Sequence, residues 1–456
     1  MLWLARPCRS EELPAPHGYI DNGVVPIRLH DFPARPRPIL ELGDPFLGPG
    51  DIRKPVTLPT GAVWSPSFML FGTLRSAVQT VDRGGEPRTS EWANRLDLFA
   101  NLRLSPTERV LVGLRPFDAL EGSANKFSGF TFEPRDQRGW NQEFRAAPST
   151  LFFEGELGEI FPGLDKHDTR SLDYGLSIGR QPLTLQDGLL ASDDQLDLVG
   201  ITRDMLEVPW ASKLKISALF GWSQIERGDN TRDAGAGLYA VTSYADFNVS
   251  TIEFDSAYVN SKRDADGFNA GLGAIQRLGR FSTTFRGNLS AAPTKKTSKA
   301  RNGGLLTAEI NHGVGSLDDF LYLDAFWGID RFTSADRDPT AGGPLGRMGI
   351  LYSTVGLGSY GAPMSNQADH SVGGAIGYQT FFLDQALKRR QLVLEVGARG
   401  PTSRPDLQRQ RQEGGAALRF QQAFGQHVVA VIDGYVVAQQ RAAMSNGSRF
   451  ELAVKF

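Results

Sequence analysis

Charged side chains recur at alternate positions along this chain, most of them beside apolar neighbours. Arg95, Asp97, Arg103, Arg109, Arg115, Lys213, Lys215, Glu253, Asp255, Arg286, Asp324, Glu395 and Arg399 are all placed this way. Such residues do not break bonds. Held in rows on one face, they make an electric field that orients and selects polar solutes. The groups that covalent chemistry needs have no usable spacing. His17, His30, His167, His312, His370 and His427 are scattered, with no pair at metal-ligand spacing. No G-x-S-x-G surrounds a serine, and Gly235-Ala236-Gly237 lacks the lysine of a phosphate loop. The residues therefore predict no catalytic centre, no metal and no cofactor.

The elements that must position these charges are long strands. Leu96, Leu98, Ala100, Leu102 and Leu104 alternate with Arg95, Asp97, Phe99, Asn101 and Arg103. The same two-residue period runs through Leu214–Trp222, Ile252–Tyr258, Phe281–Leu289 and Leu392–Ala398. A soluble sandwich would alternate in this way too. Two features favour a membrane barrel. The periodic segments run to ~9–15 residues where soluble strands average nearer ~5–6, and the polar faces carry full charges at mid-strand, as a water-filled lumen allows. The chain also ends on an alternating strand, Phe450-Glu451-Leu452-Ala453-Val454-Lys455-Phe456. A terminal strand of this kind closes a barrel, with Phe450, Leu452, Val454 and Phe456 turned to lipid and the last aromatic at the interface.

Composition agrees. The 456 residues carry a net charge of −2, which gives no reason to propose nucleic acid. Mean hydropathy is −0.27, and no apolar run approaches the roughly 20 residues of a membrane helix. Cys8 is the only cysteine, so no internal disulfide forms. Met1 to Ala5 is too short for the apolar segment of a secretory leader, so a leader is expected upstream or already removed. Residues 1–60 are rich in proline and lack periodicity, and read as an irregular extension, a periplasmic arm or a plug. Residues 61–456 read as the barrel. If Ser67–Gln79 is the first upward strand, long connections fall at 80–91, 117–148, 182–193, 227–235, 261–266 and 291–301, with mostly short ones between. Taking 330–370 as one more long outer loop gives an all-β, antiparallel transmembrane barrel of about 18 strands, with about 16 as the fallback.

The C-terminal strand resembles the assembly signal of Gram-negative outer-membrane proteins. Ser177-Ile178-Gly179-Arg180-Gln181-Pro182-Leu183, then Gln186-Asp187-Gly188 and Asp193, Asp194 and Asp197, resembles the porin and alginate-export-like superfamily. The resemblance implies an integral, multi-pass barrel of the bacterial outer membrane that passes small polar solutes by diffusion. Its partners are then outer-membrane lipid and lipopolysaccharide, the barrel assembly machinery, the solute and further copies of itself. It also implies that loop 182–193 enters the pore and sets Arg180, Asp187, Asp193 and Asp194 at a constriction. The alternatives are a surface turn at that loop, and inner charges that only pair across strands. The other functional reading is an exporter for an anionic polysaccharide that works with periplasmic partners. A soluble all-β protein is the remaining possibility.

Overall fold

The computed structural model describes residues 37–43, 55–118, 127–165, 167, 169–314, 319–382, 389–402 and 411–456. Most of the expected extension at 1–60 lies outside the described residues, as do Cys8, His17 and His30.

Eighteen strands form a closed antiparallel wall. In chain order they are β1 (Ser67–Asp82), β2 (Thr89–Arg103), β3 (Arg109–Leu114), β4 (Pro148–Glu156), β5 (Tyr174–Leu185), β6 (Ala191–Val208), β7 (Ala211–Ser223), β8 (Gly237–Asp246) and β9 (Ser250–Asn260). They continue as β10 (Gly267–Leu278), β11 (Phe281–Ala291), β12 (Gly303–Val314), β13 (Asp319–Arg331), β14 (Asp369–Phe381), β15 (Arg390–Pro401), β16 (Glu413–Phe424), β17 (Val428–Gln439) and β18 (Ser445–Lys455). Each pairs with its neighbours in sequence, and β18 closes on β1 in the register Phe450↔Val78 and Lys455↔Thr73. The two-residue period decides the faces. Phe254, Phe285, Trp327, Ile376, Val396 and Phe450 are exposed on the outer surface, while Glu253, Asp255, Arg286, Asp324, Glu395 and Glu451 are buried on the inner one. Closure leaves no free edge along the wall, as a strand crossing lipid requires.

Three departures from a plain barrel matter for the site. First, β3 stops at Leu114 and covers only the lower half of β2. The upper half pairs with a side hairpin, Ser128–Glu133 and Gly139–Asn141, where Trp92, Phe130 and Trp140 pack edge to face. Second, the segment expected as loop 182–193 is largely strand. β5 runs to Leu185 and β6 resumes at Ala191, and the hairpin leaves the wall because β6 pairs with β7 only from Asp197 onward. Leu183, Leu185, Leu190 and Leu196 then pack on Leu238, Ala240, Ala257 and Val259 of the inner wall. Burying those side chains favours the inward bend, at about 1.5–3 kcal/mol for each large one.

Third, the connection 332–368 is not an outer loop with only solvent around it. This seventh loop, counted along the loop end of the barrel, lies inside. Leu345, Met348, Ile350, Leu351, Tyr352, Tyr360 and Met364 form an apolar cluster with Tyr322, Phe326, Val393 and Tyr435 of the wall. The largest hydrophobic core of the described residues thus sits in the lumen.

Candidate functional site: a charged lumen crossed by two loops

The inner wall carries a file of ion pairs. Arg419 and Arg449 both reach Asp433, at 2.7 and 2.5 Å, and Arg449 also pairs with Glu451. Glu451 takes Arg75 at 2.7 Å across the β18–β1 seam. On the adjoining strands Asp97 takes both Arg95 and Arg115 at 2.8 Å, and Arg115 continues to Asp194 at 3.1 Å. The opposite wall is acidic: Glu253 and Glu309 flank Arg286, at 3.5 and 3.4 Å, and Asp324 stands opposite Glu309 in register. Removing one partner of such a buried pair costs about 3–5 kcal/mol, so these charges hold the wall as well as line it.

The seventh loop is tied to this wall by two kinds of contact. Wall carboxylates accept its amides. Glu395 accepts the N–H of Ile350 at 2.8 Å and of Leu351 at 2.7 Å, together with the Tyr322 hydroxyl at 2.5 Å. Gly349 makes room for that carboxylate. It has φ +52°, and a Cβ there would lie 2.2 Å from Glu395 Oε2. Glu91 accepts the Ser359 N–H and hydroxyl at 2.6 and 2.5 Å, and Glu413 accepts the Ser365 N–H at 2.9 Å. Wall donors take its carbonyls: Arg75 that of Val355, Arg95 that of Gly356, Gln79 that of Leu357 and Arg83 that of Ser359. A cavity of about 470 Å³ remains beside the loop, lined by Arg83, Thr340, Tyr360, Arg399, Arg411 and Glu413 among others.

The third loop reaches across to the acidic wall. Gln186 donates its N–H and its side-chain amide to Asp255 Oδ2, both at 3.0 Å. Asp187, next to it, meets Arg347 of the seventh loop at 3.4 Å, and each side chain is about half exposed (51% and 49%). Arg337 of the seventh loop donates to Gly188 O at 2.6 Å and to Gly342 O at 2.8 Å. Burial pulls the Arg337 guanidinium down to about 10.

The sequence-derived residues therefore divide. Asp187 stands where the two loops meet. Asp194 and Arg115 join the ion-pair file, and Arg180 makes a two-bond pair with Asp197 at 2.8 and 3.0 Å while also holding Pro148 O. Asp255 and Glu395 tether loops, and Arg399 holds Ser365 O and lies over the Phe326 ring. Asp193 is buried beneath the seventh loop. Arg103, Lys213 and Lys215 lie toward the turn end: Arg103 closes β2 opposite Arg109, which pairs with Glu154; Lys213 pairs with Asp204 at 3.1 Å; Lys215 faces Tyr244 in register. Phe450, Leu452 and Val454 pair with Val78, Ser76 and Leu74 at the seam.

Sequence reasoning missed Arg75, Glu91, Arg419, Asp433, Arg449 and Glu451, although all occupy inward positions of their strands. Their parity was available: Arg449 and Glu451 alternate with the outward Phe450 and Leu452. Arg347 had no such signal, since its loop has no period.

Wall, closure and inward loops define an eighteen-strand antiparallel barrel entered by two of its own loops. No protein-family model matches the chain, and no curated protein matches it. Solved structures do. The chain is similar to the Pseudomonas aeruginosa porin OccK2 (OpdF) in complex with glucuronate, with a TM-score of 0.55 and 13% identity over 85% of this chain and 98% of that one. It is similar to a BenF-like porin from Pseudomonas fluorescens Pf-5, with a TM-score of 0.57 and 9% identity over 85% and 98%. A third is OpdK of Pseudomonas aeruginosa with vanillate, at 0.54 and 12% over 85% and 98%. At these identities the likeness concerns the fold.

Proposed function

We propose that this chain is a passive channel of the bacterial outer membrane for small polar or charged solutes, with a mild preference for organic anions. One observation carries the reading. A closed wall with ionised residues inside encloses two inward loops that meet at Asp187 and Arg347, both open to solvent. Opposite charges at such a meeting point set a transverse field on anything that passes. The arginine–carboxylate file on β1, β2, β16, β17 and β18 faces the acidic strands β9, β12 and β13 across the lumen, which suits solutes that carry a charge along with polar groups. The neighbours support the anion preference, since glucuronate and vanillate both bear a carboxylate. A polymer conduit needs an open bore, and two loops joined across the lumen argue against it.

Purified, detergent-folded protein in a planar bilayer under a salt gradient tests this. Stepwise currents with a reversal potential displaced toward anions are expected. Protein that is folded yet electrically silent would overturn the channel reading.

A further inference from the structure

The base of the seventh loop docks between the third loop (residues 186–190) and the fourth (residues 224–236). Asp336 and Arg337 pair in parallel with Ala191 and Ser192 of β6. Three loop amides are bonded there: Ala335 N–H to Leu190 O, Arg337 N–H to Glu226 O, and Asp338 N–H to Ser192 O, each at 2.8 Å. Beneath them the Asp193 and Asp336 side chains lie together, each close enough to act on the other's ionisation. Both are buried, at 3% and 0% exposure. Asp336 Oδ1 accepts the Glu226 N–H at 2.8 Å and Asp193 Oδ1 the Gln195 N–H at 2.6 Å, while both Oδ2 atoms are buried with no hydrogen-bond partner. Two carboxylates buried together with unpartnered oxygens cannot both ionise, so a proton stays with the pair. No cation replaces it. Arg227 is taken up by Asp233 at 2.8 Å, and Arg337 donates to the carbonyls of Gly188, Ala341 and Gly342 and to the Ser334 hydroxyl. Of the other charges near the pair, Asp338 and Glu226 oppose ionisation, while the field of the Arg227 guanidinium partly offsets them at Asp336.

We propose that Asp193 and Asp336 are a proton-sharing latch that fastens the base of the seventh loop to β6, so that docking tightens as the medium acidifies. Burial pushes the Asp336 carboxyl up to about 7. The sign follows. The docked form keeps a proton that an undocked, hydrated carboxyl releases near its ordinary value of about 4. Between about pH 4 and about 7 each unit of rising pH therefore weakens docking by at least about tenfold.

The test reads the latch directly and does not require that the barrel conduct. Hydrogen exchange of the 335, 337 and 338 amides is measured on detergent-folded protein from pH 5 to pH 8, corrected for intrinsic exchange. Wild-type protection is expected to fall by at least about tenfold per pH unit up to about 7. Asp336→Asn keeps an acceptor for Glu226 and a donor for Asp193 without titrating, and should flatten the profile. Asp193→Asn should do the same if the first variant folds poorly. Flat wild-type protection, or an unchanged slope in both variants, would overturn the latch. A slope that appears only after divalent cations are chelated would also overturn it, by giving the carboxylates to a bound cation.

Discussion

Phe456 and Gly72 exchange both of their backbone hydrogen bonds, Gly72 N–H to Phe456 O at 2.7 Å and Phe456 N–H to Gly72 O at 3.0 Å. The terminal ring covers the space a side chain at position 72 would fill. A Cβ there would lie 2.8 Å from the ring and 2.6 Å from Asp97 O. The last residue of the chain thus adds a rung to the seam beyond Lys455, and only glycine leaves room for it.

Gly72→Val should therefore impair closure, with overpacking of about 1–3 kcal/mol concentrated at the seam. The folded, heat-modifiable band on gels is expected to weaken, and Phe456→Ser should weaken it through loss of the same contact. A normal folded band for Gly72→Val would show that the ring is free to move aside.

Glu395→Ala removes the acceptor of the Ile350 and Leu351 N–H groups, leaving buried donors unpaired at about 1–3 kcal/mol each. The seventh loop should loosen while the wall stays closed. Protease cleavage within 332–368 is expected to rise several-fold, with larger and noisier single-channel currents. Unchanged cleavage would mean that Glu91 and Glu413 hold the loop without it.

Asp187→Asn and Arg347→Ser should move the reversal potential in opposite directions, the first raising the anion/cation permeability ratio and the second lowering it. Both shifts should shrink toward zero in 1 M salt, where the screening length is about 3 Å. Shifts of the same sign would place the pair outside the solute path.

Leu351→Ala removes a fully buried side chain from the lumen cluster. A large-to-small change of this kind costs about 2–5 kcal/mol. Because the cluster holds a loop to the wall and not strand to strand, proteolysis of the loop should increase while the heat-modifiable band is unaltered. Loss of that band would show that loop and wall unfold together.

The wall was legible in the sequence because its period of two is imposed by lipid outside and charge inside. Leu392, Leu394 and Val396 against Glu395 and Arg399 show it plainly. The expectation of an antiparallel barrel of about eighteen strands matches the structure, and the terminal aromatic marked the closing strand. The loops were not legible. Leu345, Met348, Ile350, Leu351 and Tyr352 sit among glycines and prolines with no period, and what buries them is a wall reached only in three dimensions. The inward aromatics Tyr322, Phe326 and Tyr435 read as ordinary pleat residues until the loop they hold is seen. Position within a strand follows the pleat, and Glu253, Asp255, Arg286 and Glu395 lie on its buried face. It did not foretell that Asp255 and Glu395 bond to loop backbone, since that depends on segments far away in sequence.

The seventh loop spans more than the lumen. One side of it is fastened to β15 and β16 through Glu395, Arg399 and Glu413, the other to β1 and β2 through Arg75, Glu91 and Arg95. Between those strands lies the β18–β1 seam, the one join in the wall between the two ends of the barrel sequence. The loop is thus a bridge over that join, holding the first strand near the last independently of the ladder between them. Tethered groups meet at high effective concentration. If the seam opens, the bridge keeps its two lips together, so reclosure is a local event and not a search.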